Sequence, residues 1–276
     1  MKSKILALSI FAIALLMTAC DNIDEAERLI YVPPASVERA VLIEDFTGQR
    51  CINCPNATLE IEKLQEEYGA ENVIAVGIHS GPFAHRSTMT SPLLPLGTET
   101  GDIYFNYWGV EAQPGTLINR TGGVIYKTQQ YAAAVSEALS QKSPLRIKLT
   151  PEQLSEVGGS QTSYYINVEC ETNETLKDTR LQVWITENNI VSAQYMPDGS
   201  ANSNYVHNHV FRTSLTDDVM GDPIEIKTET LATATYRLDL AETWKIEDLN
   251  VVAFVYNADG VIQAKTCKLV LEEPAL

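Results

Sequence analysis

AVLIEDFTGQRCINCPNATLEIEKLQEEYG, residues 40 to 69, is the stretch that decides how this chain folds. Val41, Leu42 and Ile43 make a brief apolar run that ends in the turn-forming Thr47-Gly48-Gln49-Arg50. The pattern predicts a buried strand leaving its sheet through a loop. After Cys54, Pro55 suits the first turn of a helix, and Ala57, Ile61, Leu64 and Tyr68 recur on one helical face until Gly69 supplies a stop. The spacing places Cys51 at a helix N-terminus. Free backbone N–H groups and the macrodipole there favour thiolate over thiol, and a thiolate is the species that attacks a disulfide.

Asp45-Phe46, four residues, then Cys51-Ile52-Asn53-Cys54-Pro55 resembles the thioredoxin-like fold, with a buried acid, an attacking cysteine and a resolving cysteine in that order. Arg50 stands where that fold usually carries tryptophan. Its charge favours a Cys51 thiolate, and its presence removes a flat apolar surface for docking a partner chain. The resemblance implies that Cys51 attacks, Cys54 resolves and Asp45 relays a proton to or from Cys54.

The chain has 276 residues and is 45% apolar, enough for a large core and, by usual domain sizes, for two domains. Residues 1–19 read as an export signal: Lys2 and Lys4, an apolar run from Ile5 to Met17, then small residues. Met17-Thr18-Ala19-Cys20 resembles a bacterial lipobox, which implies lipidation of Cys20 and a tethered, not spanning, protein. Loss of the two lysines takes the formal charge from −16 to −18, which argues against nucleic acid or anionic headgroups as partners. Residues 20–38, with Asp21, Asp24, Glu25 and Glu27 before Pro33-Pro34, read as an acidic tether. By analogy with lipoproteins of some anaerobic Gram-negative bacteria, the acids after Cys20 suggest display on the cell surface.

Asn72 to His79 is nearly all apolar, as expected of a central parallel strand, and its end falls on the sheet edge that carries Cys51. His79 is therefore a candidate neighbour of the cysteines, or a polar cap at a strand end. Gly81 to Gly101, rich in Gly, Pro, Ser and Thr, is long enough for a rim or lid and contains His85. A helix is predicted over Asp102–Trp108. Val110 to Thr116 then resembles the thioredoxin-family segment in which a cis-proline, here Pro114, faces the cysteines and leaves the Gln113 backbone to pair with an extended substrate. A hairpin with its turn at Gly122-Gly123 and a helix over Gln129–Ser140 complete a thioredoxin-like domain over residues 39–142. From Pro144 the pattern becomes all-strand, with alternation at Tyr164, Ile166, Val168 and Cys170 and at Leu181, Val183 and Ile185. Later strands are predicted over Ile224–Thr230, Tyr236–Leu240, Leu249–Tyr256 and Val261–Val270. Residues 143–276 thus read as an immunoglobulin-like β-sandwich, without the immunoglobulin cysteine spacing. The fold class is α/β followed by all-β.

Tyr205-Val206-His207-Asn208-His209-Val210-Phe211-Arg212, taken with Phe46-Thr47-Gly48, the Cys-x-x-Cys-Pro and the lipobox, resembles the family related to outer membrane protein 28. Its members are surface lipoproteins that join a thioredoxin-like domain to a C-terminal β-sandwich, which implies an outer-membrane location. His207 and His209, two apart on a strand, would share a face and offer two metal ligands, or simply line a strand edge. No second pair at zinc spacing accompanies Cys51 and Cys54, so neither a metal nor a cofactor is assigned. Cys170 is expected in the core and Cys267, on the parity of Gln263 and Lys265, towards solvent, unpaired with each other.

Two readings of function stand side by side. One is thiol–disulfide exchange with extracytoplasmic protein or peptide thiols and disulfides. The other is a surface binding or assembly module that keeps Cys51–Cys54 as a static disulfide.

Overall fold

The computed structural model describes residues 37–86, 93–154 and 162–270. Cys20, the export signal and almost all of the acidic tether lie outside the described residues, as do residues 87–92 of the expected rim. Strand β1 (Val41–Thr47) and strand β2 (Val73–His79) lie parallel and in register, from Val41 opposite Val73 to Thr47 opposite His79. Every residue of β1 is buried, including Glu44 and Asp45. The reason is cover on both faces. Helix α1 (Cys54–Tyr68) lays Ala57, Ile61 and Leu64 on Val41, Ile43, Val73 and Ala75, while Leu42, Phe46, Ile74 and Ile78 meet a second cluster behind the sheet. Replacing Ile61 or Leu64 with alanine in such a setting typically costs about 2–5 kcal/mol. Pro55 opens α1, and Gly69, at φ 90°, ends it with its N–H on Gln65 O at 2.9 Å.

Helix α2 (Glu99–Tyr107) starts earlier than expected because Thr98 Oγ1 accepts the Gly101 N–H and caps it. Strands β3 (Gly115–Ile118) and β4 (Thr121–Ile125) form the expected hairpin, but it turns at Asn119–Arg120 and not at Gly122-Gly123, which lie within β4. Asn119 and Arg120 take φ 52° and 56°, the left-handed pair that suits a two-residue turn. Asn119 Oδ1 fixes the turn by accepting from Leu42 N–H at 2.8 Å. Helix α3 (Tyr131–Leu139) adds Tyr131 and Val135 to the α1 side.

Beyond Pro144 the described residues are built mainly of strands: β5 (Leu145–Leu154), β6 (Ser163–Thr172), β7 (Arg180–Glu187), β8 (Ile190–Tyr195), β9 (Ala201–His207), β10 (Val210–Ser214), β11 (Ala232–Asp239), β12 (Leu249–Asn257) and β13 (Gly260–Lys268). The fold is β-rich with few helices. No strand forms over Ile224–Thr230, where Ile226 makes only an isolated bridge to Leu176. Instead of closing on themselves, the later strands extend the first sheet: it runs β13-β12-β7-β10-β2-β1-β3-β4, with Asp222–Pro223 beside β7. Strand β10 is the seam, antiparallel to β7 and parallel to β2 with Val210 opposite Gly77. A separate sheet, β11-β6-β5, packs Ile147, Ile166, Val168 and Cys170 on Val183, Ile185, Val251 and Ala253. Residues on either side of Pro144 therefore lie in one compact unit.

Cys170 and Cys267 are both free thiols, and Cys170 is buried. Cys267, however, is half-buried against the Cys170 cluster and does not point fully to solvent. The β12–β13 register shifts between Val255 and Tyr256, and Gln263 is turned inward while Lys265 stays out, so simple alternation fails there. Burial pushes the Cys170 thiol up to about 12 and the Cys267 thiol up to about 11, so neither is a ready nucleophile.

Candidate functional site

The loop from β1 to α1 carries the cysteine pair. Gly48 approaches the Phe83 backbone so closely that a Cβ would lie 2.5 Å from its carbonyl carbon, so only glycine fits without displacement. Arg50 N–H donates to Phe83 O at 3.1 Å and Cys51 N–H to Gly48 O at 3.0 Å, which curls the loop back on itself. Cys51 and Cys54 form a disulfide with Cα atoms 5.4 Å apart. Both are buried, 3% and 1% exposed, with Ile52 projecting between them. The helix starts at Cys54, after the N-cap Asn53, so Cys54 and not Cys51 occupies the helix N-terminus, and Cys51 lies in the turn before it. Arg50 is exposed, and its Nη2 meets His85 Nδ1 at 3.2 Å. That contact gives His85 a partner that its sequence position did not suggest.

Asp45 points to the α1 side of β1. Thr116 Oγ1 on β3 donates to Asp45 Oδ1 at 3.0 Å and stands 2.7 Å from the Tyr131 hydroxyl. Burial raises the Asp45 carboxyl to about 7, against the smaller downward pull of the Thr116 bond. Glu44, its neighbour, faces the other way and is held by Arg120 through two 2.8 Å contacts, so its charge is neutralised away from the cysteines. The Gln113–Pro114 peptide is cis. Gln113 Nε2 donates to Thr47 O at 2.8 Å and Ser80 O at 3.1 Å, fastening the segment before β3 to the ends of β1 and β2.

The β8–β9 hairpin, which sequence reasoning did not connect with the cysteines, lies against them. Gln194 Nε2 donates to Cys51 O at 3.0 Å and Gly48 O at 3.4 Å, and Tyr195 N–H donates to Gln49 O at 2.8 Å. Gln49 in turn donates to Leu94 O at 2.6 Å, and Leu94 N–H donates to Ser192 Oγ at 3.0 Å. No local pattern marks Gln194, because its partners are distant in the chain.

His207 closes β9, but His209 follows the strand end at φ 55°, so the two do not share a strand face. His207 instead packs on His79, ring centroids 5.3 Å apart. Both are buried, and His79 Nδ1 and His207 Nε2 have no hydrogen-bond partner. Burial, with the neighbouring His207, holds His79 well below its ordinary value; burial lowers His207 and His209 each to about 4. All three are neutral near pH 7. A cavity of about 40 Å³, large enough for a few waters, is lined by Asp45, Cys54, Thr58, Glu62, His79, Gln194, Tyr205, His207 and His209. The structure thus brings together Asp45, Cys54 and three histidines in one place.

Among solved structures, the chain is similar to HBP35 of Porphyromonas gingivalis, with a TM-score of 0.62 and 17% identity over 88% of this chain and 81% of that one. At that identity the likeness is one of fold. A domain of the outer membrane lipoprotein Omp28 from the same organism also matches, with 18% identity over 46% of this chain and 88% of that one and a TM-score of 0.31. No curated protein matches. The family model described as outer membrane protein Omp28 matches residues 101–272, from α2 through β13 and so well over half of the sequence, and the chain accordingly belongs to the Omp28 family of outer membrane proteins.

Proposed function

We propose that the protein carries out thiol–disulfide exchange with extracytoplasmic protein or peptide partners through a thioredoxin-like arrangement in its first half. The observation that carries this reading is a carboxyl poised near neutrality, Asp45, lining the same cavity as the resolving sulfur of Cys54. When a partner thiolate opens the Cys51–Cys54 bond, or Cys51 attacks a partner disulfide, Cys54 must lose or gain a proton in a buried place. Asp45 supplies or accepts it. Gln113 and Pro114, fastened across the ends of β1 and β2, border the position for an extended partner strand. Cys54→Ser should accumulate mixed disulfides through Cys51 with a cysteine-containing model peptide, and Cys51→Ser should not. The near-complete burial of both sulfurs favours a second reading, a static disulfide in a binding module. That reading gains if the Cys54→Ser protein yields no adduct and both thiols alkylate slowly and equally.

The same proposal includes a lipid anchor on Cys20, motivated by the lipobox-like Met17-Thr18-Ala19-Cys20. Cys20→Ala should leave the membrane fraction or stay unprocessed; a processed variant still bound to membranes rules the anchor out.

A further inference from the structure

His79 and His207 are the least explained polar groups near the cysteines. Each is more than nine-tenths buried, each presents one ring nitrogen with no partner, and both line the cavity reached by Cys54 and Asp45. A buried polar atom without a partner marks an absent water, an ion or a catalytic role. The ring geometry is compatible with an ion. Two imidazoles on one tetrahedral ion have ring centroids roughly 5 Å apart, given metal–nitrogen bonds of about 2.0–2.1 Å. The His79 and His207 centroids are 5.3 Å apart and their planes cross at 68°, an arrangement open to a shared ion.

Two nitrogens are too few to hold it. Among the described residues, no three His, Cys, Asp or Glu side chains form a metal-holding group. In the oxidised protein Cys54 is spent in the disulfide and offers no thiolate. We propose that reduction of the Cys51–Cys54 bond completes a site for a borderline-soft divalent cation such as zinc, with Cys54 Sγ, His79 Nδ1 and His207 Nε2 as protein ligands and water in the fourth position. A dithiol reductant gives two electrons and two protons to the sulfurs and becomes a disulfide, leaving two thiols. The cation then displaces one proton from Cys54 as it binds. Occupancy removes the resolving thiolate from exchange, so the bound cation arrests the reduced enzyme. The inference rests on the exchange reading only in requiring that the disulfide can be reduced.

Cys51→Ser separates the two, because it frees Cys54 without any reductant and abolishes the attacking thiol. Zinc affinity is measured by competition with a chromophoric chelator on oxidised wild type, on wild type reduced with a phosphine that is then removed, and on Cys51→Ser. Reduced wild type and Cys51→Ser should each bind one zinc at least about tenfold more tightly than oxidised wild type. A His207→Asn change made in the Cys51→Ser background and shown by thermal unfolding to be folded should lose that gain. Cobalt bound to Cys51→Ser should show a thiolate-to-metal absorption band. Equal zinc affinity in oxidised wild type and Cys51→Ser, or cobalt bound without that band, overturns the site and leaves the histidine nitrogens to water. Trapped mixed disulfides without zinc binding sink the site alone. Zinc binding by Cys51→Ser when Cys54→Ser traps nothing sinks exchange alone.

Discussion

Asp45 is a carboxyl whose environment, not its type, sets its chemistry. Burial on β1 disfavours its charge more than one Thr116 hydrogen bond restores it, so it is part protonated near pH 7, the state that the proposed exchange at Cys54 calls for. Asp45→Asn should slow the collapse of a Cys51 mixed disulfide by about 10²-fold or more and abolish its inflection near pH 7. A variant as fast as wild type at every pH would remove Asp45 from the mechanism. Stability gives a second reading of the same residue. Its folded pKa of about 7 lies above the unfolded value near 4, so its favourable contribution is complete below pH ~4 and is lost as pH rises through about 7. Asp45→Asn should therefore gain on wild type at pH 8 relative to pH 4, by at most about 4 kcal/mol. Thermal midpoints at the two pH values check it, and an equal shift at both would contradict the burial argument. The buried histidines work with opposite sign. Their depressed values support the fold above pH ~6.5, and that support is lost as pH falls through about 4 for His207 and His209.

The β8–β9 hairpin is held on the cysteine loop by Gln194, whose amide serves the carbonyls of Gly48, Cys51 and Tyr195. Gln194→Ala leaves these buried acceptors short of a donor, a cost of about 1–3 kcal/mol placed locally on the hairpin. Alkylation of Cys51 in the reduced variant should speed up, together with hydrogen exchange at Tyr195 N–H. Unchanged rates for both would mean that the hairpin does not restrict the thiol. This contact also marks where sequence reading stops. Strand β1, helix α1 and strand β2 were legible because their signals are local: apolar runs, Pro55 at the helix start, Gly69 at its end. The cis Gln113–Pro114 bond and the burial of Asp45 lie where the family resemblance led. The turn at Asn119–Arg120 was hidden by the stronger Gly122-Gly123 signal, since an arginine in the left-handed region carries no turn signal of its own. The positive φ of His209 broke the expected pairing with His207, and the Gln194–Cys51 contact spans 143 residues, beyond any periodicity. Strands assigned to a separate sandwich proved to share a sheet with β1 because β10 pairs with both β2 and β7.

That seam makes the folding unit larger than either half of the sequence. Glu44 on β1, Arg120 in the β3–β4 turn and Gln182 on β7 form one buried network, with Arg120 Nη2 at 2.7 Å from Gln182 Oε1. The Arg120 guanidinium also lies 4.4 to 5.7 Å from the ring centres of Trp108, Trp184, Phe254 and Tyr256, which come from both sides of Pro144. Burial alone would make Arg120 easier to deprotonate, but Glu44 more than offsets this and raises Arg120 above its ordinary value. Removing one partner strands the other charge in the core, at a cost of about 3–5 kcal/mol, whereas replacing both with apolar side chains of similar volume is much milder. Arg120→Met and Glu44→Leu should each lower the unfolding midpoint strongly, and the double variant should recover most of the loss. Because the network joins both halves, each single variant should still unfold in one step, with tryptophan fluorescence and far-ultraviolet circular dichroism giving the same midpoint. Separate midpoints, with only the signal from one half displaced by Glu44→Leu, would mean that the residues before and after Pro144 are independent domains after all. Additive losses in the double variant would mean that the ion pair does not couple them.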